Sequence, residues 1–512
     1  MSSISTSNIT SGFIDLATFD EIERYLYGGD TATAYFVRET RKSTWFTQVP
    51  VILSNASGQA QFGQDWSVSI SRAGDYLLQT WLRVGLPQVQ LANDDENAGI
   101  RWTRNLMHNL IKDCCITFND LVAARFDSFH LDFWSAFTVP AGKQDGYNQM
   151  IGNTAALTTL QTGQHALPPT VPGDNGVTML NLPLPFFYSR DSGVALPTAA
   201  LPYNEMRINF SFRNWNELLI RENLAAASTQ EYRQTVQASD LQGGADPQLT
   251  KVQVWANYAI VSNDERKRMA CAPRDILIEQ VQTANRQTFS PSTVPQPSYD
   301  LRLSHAIKVL FFAVRNKTWG SEWSNYTCSS PGLGVAPQGG KFTNNYAVDP
   351  ILDTTLVYEN TNRLGSMGSD YFSLVNPYYH APVIPTVTGY HMYSYSLDFI
   401  CLDPMGSTNY GKLTNVSIVP NSSLVAQQAN AAGGIANVAT ADGVGWKQSY
   451  EFVLTAVDNN IIRVSGGALE CAPYILYAIY IQNHYDKTKN EIDFKNGMLK
   501  KTNNDLHHCI KI

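Results

Sequence analysis

No stretch of this chain reaches the roughly 18 consecutive apolar residues that a membrane-spanning helix requires, and its first residues lack a basic segment followed by an apolar block. The expectation is a chain neither embedded in a bilayer nor exported by a cleaved leader. Charge is also scarce: 16% of residues are Asp, Glu, Lys or Arg, and the formal balance is −7, with no Lys/Arg run that contradicts it. Nucleic-acid binding rests on a concentrated positive field, so no direct nucleic-acid partner is expected. Seven cysteines, at positions 114, 115, 271, 328, 401, 471 and 509, form no CxxC pair. An odd number spread this widely does not read as a disulfide framework and points to a reducing compartment. The catalytic motifs are missing too, with no GxxxxGK[ST], GxSxG or HExxH and no Cys/His cluster at metal-ligand spacing. No catalytic residue, cofactor or metal is expected, and the chain is expected to be a non-enzyme.

The residues that could carry chemistry have blander explanations. Asp94, Asp95 and Glu96 could in principle supply a glycosidase's two carboxylates, but those act across a cleft from separate strands, and a solvated loop accounts for them better. His130 has no second ligand at i+3 or i+4 and reads as a packed histidine. His507, His508 and Cys509 lie in a Lys/Asn-rich tail and are given no role. The sequons at Asn55, Asn325 and Asn415 are read as chance in a chain rich in Asn, Ser and Thr.

What the chain does have is alternation. In Met206, Ile208, Phe210 and Phe212 the apolar residues take every second position, the period of a strand with one buried face. Upstream, Pro183, Pro185, Pro197 and Pro202 each delete a backbone donor, which suits strand ends and crossings between sheets. The same plan returns: Tyr188-Ser189, Tyr203 and Met206 share their spacing with Tyr395-Ser396, Tyr410 and Leu413. A second echo sets Asp113 to Asp120, then Asp127 to Trp134, against Asp353 to Asn360, then Asp370 to Phe372. Two echoes in one order read as a tandem duplication. With 512 residues, two domains of about 200 residues each are expected. Hydrophobic residues make up 44% of so weakly charged a chain, so part of its surface is expected to meet other subunits.

Taken in order, residues 1 to 12 read as mobile, and Thr18-x-x-Glu21 reads as a capping box opening a helix from Phe19 to Tyr27. That helix would either dock on its own domain or reach a neighbour. Strands are expected at Tyr35 to Arg38, Trp45 to Leu53, Trp66 to Ser71 and Asp75 to Val84, the last two joined as a hairpin whose Gly74 supplies positive φ. A helix is expected over Asp127 to Phe137, with Phe126, His130, Phe133 and Phe137 on one face. Lys251 to Val261 closes the first domain, and the charged Asn263 to Ala270 reads as a helical linker with a solvated face. Further strands are expected at Ile276 to Gln282, Leu301 to Val314, Leu352 to Glu359, Tyr390 to Leu402, Leu413 to Val419 and Tyr450 to Ile462. Gly142 to Met179, Asn316 to Pro350 and Ser422 to Gly443 read as long irregular loops, and Arg221 to Gln248 as a polar connection. The fold class is all-β: two tandem eight-stranded antiparallel jelly-roll sandwiches with a few short helices and long loops.

Several strings carry a resemblance. TAYFVRETRKSTWFTQVP (33–50), WSVSISRAGDYLLQTWLRV (66–84), LPLPFFYSRDSGVALPTAALPYNEMRINF (182–210), NDERKRMA (263–270) and MGSDYFSLVNPYYHAP (367–382) closely resemble the major capsid proteins of iridoviruses, especially those of invertebrates. The resemblance spans roughly residues 8 to 469. It implies a double jelly-roll subunit of a large double-stranded DNA virus. Such a subunit forms homotrimers, the pseudo-hexagonal capsomers that tile an icosahedral capsid over an internal viral membrane, beside neighbouring capsomers and minor capsid proteins. It also implies assembly in the host cytoplasm and no catalytic residues to carry over. The domains expected are an arm at 1–34, a first jelly roll at 35–262, a linker at 263–274, a second jelly roll at 275–469 and a tail at 470–512. The tail is a departure, since the family's chains end soon after the segment matching Asn460 to Leu469, and it is expected outside the second sandwich. The rival reading, from the fold class alone, is a carbohydrate-binding or carbohydrate-active β-sandwich.

Overall fold

The computed structural model describes residues 3–481 except 39, 169–176, 202–203, 224–232, 272–273, 293–296, 319, 329–348, 431–434, 437–444, 447 and 467–476. The chain forms two compact units, residues 1–45 and 46–512.

The first unit is helical. Helix α1 (Ser3–Ala17) occupies the stretch read as mobile, with Ile9, Phe13 and Leu16 recurring at helical spacing. Helix α2 (Glu21–Tyr27) starts two residues later than expected. The cap is Asp20, whose backbone N–H donates to Glu23 Oε2 at 3.2 Å, while Thr18 Oγ1 is drawn back to the carbonyl of Asp15 at 2.6 Å. Tyr35 to Arg38 is turn and coil, not a strand: a strand needs a partner, and none is present within this unit among the described residues.

The second unit contains two sandwiches. The first is built from β1 (Phe46–Ile52), β2 (Ser54–Gly58), β3 (Asp65–Ser69), β4 (Tyr76–Pro87), β5 (Ile111–Phe118), β6 (Leu121–Asp127), β7 (Val177–Pro183), β8 (Met206–Phe212) and β9 (Thr250–Val261). The second is built from β10 (Arg274–Thr283), β11 (Tyr299–Asp300), β12 (Ala306–Asn316), β13 (Ile351–Tyr358), β14 (Thr361–Gly368), β15 (His391–Ser394), β16 (Val416–Ser422) and β17 (Tyr450–Gly466). The sheets of the first run β1-β9-β4-β7 and β2-β3-β8-β5-β6; those of the second run β10-β17-β12-β15 and β11-β16-β13-β14. Leaving out the extra edge strand β2, the two orders superpose strand for strand. This is the jelly roll, built twice in tandem.

The echo around Asp113 to Asp120 has a physical basis. In β5–β6 the two-residue turn Asn119-Asp120 has φ of 48° and 65°, and in β13–β14 Glu359-Asn360 has φ of 47° and 63°. Two successive left-handed residues are the backbone of a type I′ hairpin, whose twist matches that of the strands. Each turn is then tied to the approach to the next strand in the sheet. Asn119 Oδ1 accepts from the N–H of Glu205, just ahead of β8, and Glu359 Oε1 accepts from the N–H of Asn415, just ahead of β16. β8 and β16 both alternate buried and half-buried residues along their length. The Tyr203 member of the other echo lies outside the described residues.

Several expectations change. β3 and β4 are not a hairpin: β3 pairs with β2 and β8, and β4 with β9 and β7, so residues 70–75 form a corner between sheets. Alternation on both sides of a short polar link looks the same in either case. Gly74 serves close approach instead of positive φ, since a Cβ there would stand 2.5 Å from Cβ of Tyr258. Gly142 to Met179 is not irregular throughout; it holds α4 (Gln144–Ile151), a short helix Ala155–Thr158 and the start of β7. Tyr390 to Leu402 is a strand only over β15, and Leu301 to Val314 becomes a strand at Ala306. The polar stretch from Arg221 contains part of the strand Leu219–Asn223 and the strand Arg233–Gln234. Much of Asn316 to Pro350 and of Ser422 to Gly443 lies outside the described residues, as do His507, His508 and Cys509. In the tail, strand β18 (Tyr477–Ile481) pairs antiparallel with residues 462–466 of β17, so this part extends the second sandwich's sheet instead of standing outside it.

Candidate functional site: an assembly interface

What fixes one sandwich against the other begins with helix α3 (Ser128–Thr138), which follows β6 directly. Asp127 caps it, accepting from the N–H of His130 at 3.0 Å. Phe129, Phe133 and Phe137 fall on one helical face, and all three are buried among residues of the second sandwich: Val309, Phe311 and Ala313 of β12, and Val453 and Val457 of β17. Phe137 stacks on Phe311 with ring centroids 5.3 Å apart, and Phe133 meets Tyr390 edge-on at 6.0 Å. Burying a phenylalanine contributes roughly 1.5–3 kcal/mol, so three make this a strong apolar tie between the halves.

His130 belongs to this packing, as expected. Its ring lies 5.7 Å from that of Trp134 and is fully buried. Burial, helped by the Arg190 guanidinium, lowers its pKa to about 3, so it is a neutral packing residue.

Buried charge adds orientation. Ala98–Trp102 and Leu219–Asn223 pair in a small separate sheet, which brings Arg101 and Glu222 to the junction, and the loop after β12 brings Glu322. Arg101 bonds Glu222 at 3.0 Å and Glu322 at 2.5 Å. Burial works against its charge, but the two carboxylates outweigh it and the Arg101 pKa is raised. A second group joins Arg190 of the first sandwich to Glu279 of β10 at 2.8 Å, with Lys308 of β12 on the other oxygen of Glu279 at 2.6 Å. Asp132 of α3 accepts from Asn105 Nδ2 at 3.0 Å, Ser324 Oγ at 2.7 Å and Tyr326 OH at 2.9 Å, and pairs with His108 Nδ1 at 2.7 Å. Trp323 lies between two guanidiniums, Arg213 at 3.8 Å and Arg315 at 4.2 Å, and donates from Nε1 to the carbonyl of Glu217. Desolvation, then Arg286 and Arg315, lowers the Arg213 pKa to about 10. Paired ions tolerate burial only in fixed geometry, so these groups specify one relative placement of the sandwiches.

None of these residues was singled out by sequence reading as an interface, although α3 itself was expected. Isolated Arg and Glu residues tens of positions apart carry no local signal. The linker helix α5 (Asn263–Cys271) is likewise not only a solvated face: Arg266 bonds Asp75 Oδ1 at 2.8 Å, and Asp75 Oδ2 accepts from the N–H of Val261. Asp95 serves its own loop, accepting from the N–H of Asn97, and Asp94 ties that loop to a distant segment by accepting from the N–H of Gln164. No group of three metal-ligating side chains is placed to hold an ion among the described residues. Cys114, Cys115, Cys328 and Cys401 are free thiols.

Residues 34–261 match the family described as major capsid protein N-terminus, and residues 265–469 match the large eukaryotic DNA virus major capsid proteins. The chain is 65% identical over 473 residues to the major capsid protein of Costelytra zealandica iridescent virus, covering 91% of this chain and 99% of that one. It is 61% identical to that of Invertebrate iridescent virus 6, covering 91% and 99%, and 44% identical to that of Frog virus 3, covering 92% and 99%. Among solved structures, the PBCV-1 virus capsid aligns with a TM-score of 0.64 at 18% identity, over 84% of this chain and 97% of that one. The Faustovirus major capsid protein aligns with a TM-score of 0.60 at 12% identity, over 87% and 94%. Two strand-for-strand equivalent jelly rolls, clamped by buried charge and matched along nearly all their length, place this chain in the family of large eukaryotic DNA virus major capsid proteins, as a structural subunit of the virion capsid.

Proposed function

We propose that three copies of the chain associate into a pseudo-hexagonal capsomer, and that capsomers tile an icosahedral shell with minor capsid proteins over an internal viral membrane. The observation that carries this is the intrachain clamp: each copy supplies two equivalent sandwiches in one fixed relation, and three such pairs make a six-membered ring. The proposed division is an arm at 1–34, jelly rolls at 35–262 and 275–469 around a linker at 263–274, and a tail from 470, with the first jelly-roll strand at Phe46 and strand β18 of the tail added to the second sandwich's sheet. Ile9, Phe13, Ile14 and Leu16 of α1 are more than half exposed, which makes the arm available to minor capsid partners. The four free thiols fit assembly in the reducing host cytoplasm. The protein acts by architecture, without catalysis.

Light scattering after size exclusion, run at several concentrations on the full chain, tests this. The expected result is one concentration-independent species at three times the chain mass of 56.8 kDa. A stable monomer or dimer would overturn it.

A further inference from the structure

The two sandwiches are equivalent, but their outer sheet faces are not equally covered. In the second, the outward residues of β12 and β17 are sealed by α3 of the first. In the first, the corresponding face of β4 and β9 carries Trp81 stacked on Trp255, with centroids 6.1 Å apart and planes 10° from parallel. Both indoles are only half-buried, and Gln79 beside them is exposed. A cleft of about 890 Å³ opens beside Trp81, with Gln79, Trp81 and Pro183 on the sheet side and Trp134 of α3 and Tyr147 of α4 on the other. The adjoining edge strand β1 leaves Phe46, Val49 and Ile52 exposed, whereas its counterpart β10 is largely buried against the first sandwich.

The second sandwich has its own counterpart of α3. After β14 the π-turn Tyr371–Val375 runs without a break into helix α6 (Asn376–His380). Phe137 and Tyr378 each stand nine residues beyond the first residue after their strands, Ser128 and Ser369, near the ends of their helices. Yet where Phe137 is buried, Tyr378 and Tyr379 are 69% and 71% exposed. They are held in place all the same. The two rings meet edge-on at 5.1 Å, Asn376 Oδ1 accepts from the N–H of Ser394 in β15, and His380 Nδ1 bonds the carbonyl of Leu397, itself an exposed apolar residue. The chain thus carries an ordered aromatic pair without cover and, on the first sandwich, a face whose two indoles are only partly covered.

We infer that Tyr378 and Tyr379 of α6 dock on the Trp81–Trp255 face of the first sandwich in a second copy of this chain, repeating between copies the contact that α3 makes on Phe311 within one copy. The contact is heterologous, because a different patch is used on each side, and such contacts close into rings when the rotation allows. Alternating the internal and external versions covers the β12–β17 face of the second sandwich and the β4–β9 face of the first. The inference rests on the trimer reading and assigns its residues.

The test compares three full-length proteins by light scattering after size exclusion: the wild type, Y378D/Y379D and W81D. Circular dichroism melting controls for folding, which the exposed positions of both tyrosines leave intact. The expected result is a threefold loss of mass in each variant, from trimer to monomer, with the Y378D/Y379D melt matching that of dissociated wild type. Variants that stay trimeric beside a trimeric wild type overturn the docking assignment and leave the capsomer reading standing. A wild type that is not a trimer overturns the capsomer reading itself.

Discussion

The two sandwiches share strand order, hairpin turns and a helix after the fifth core strand, yet they differ in what lies on their outer faces. β12 presents Val309, Phe311 and Ala313 to the aromatic face of α3, all of them buried. β4 presents Gln79, Trp81 and Arg83 on the matching side. A face sealed within the chain becomes uniformly apolar, because it never meets water. A face that is open in the separate chain keeps polar residues around an aromatic patch, the composition of a surface that is wet before assembly and dry after it. The two sandwiches share one plan, and the surroundings of each set its residues.

The contrast can be broken most severely from the sealed side. Replacing Arg101 by Met leaves Glu222 and Glu322 buried without their shared cation, and the expected loss is about 3–5 kcal/mol in urea unfolding of the chain. Phe133→Ala should cost about 3–5 kcal/mol, whereas Trp81→Ala on the open face should cost the dissociated chain under about 1 kcal/mol. Equal costs would show that the two faces are not differently covered.

A titration sharpens it next. The folded pKa of His130, about 3, lies below the ordinary 6.5, so the unfolded chain binds the extra proton first. Its contribution to stability is complete above pH 6.5 and is lost as pH falls from there towards 3, by up to roughly 1.4 kcal/mol per pH unit. His130→Phe should flatten that slope in thermal melts between pH 7 and 4. An unchanged slope would place the acid sensitivity elsewhere.

The smallest effect concerns what the halves have in common. Asp120→Gly and Asn360→Gly each relieve a left-handed residue, at φ 65° and 63°, in equivalent type I′ turns. Each should raise the unfolding free energy by a few tenths to about 1 kcal/mol, and by similar amounts. Opposite signs would count against the equivalence of the two turns.

The parts legible in the sequence were those with short-range causes. Alternation placed β8 and β16, the phenylalanine spacing placed α3, and the repeated acidic turns pointed to a duplicated hairpin. The misreadings share a different cause. Ser71 to Asp75 looked like a hairpin because a tight turn and an inter-sheet corner need the same small polar residues. Tyr35 to Arg38 has strand-forming residues but no partner strand in its unit. The helices between Gly142 and Met179 are short and were hidden by Gly, Asn and Thr.

By itself, then, the sequence determined which faces of its strands are wet, where the chain reverses, and that one β-rich plan occurs twice, because each of these is set by residues within a few positions of one another. Only the tertiary structure decided which strands share a sheet, that Arg101 meets Glu322 and Arg190 meets Glu279, and that Phe137 is covered while Tyr378 is bare. Those outcomes depend on partners scores to hundreds of residues away, and a buried charge or an uncovered ring has no local pattern to announce it.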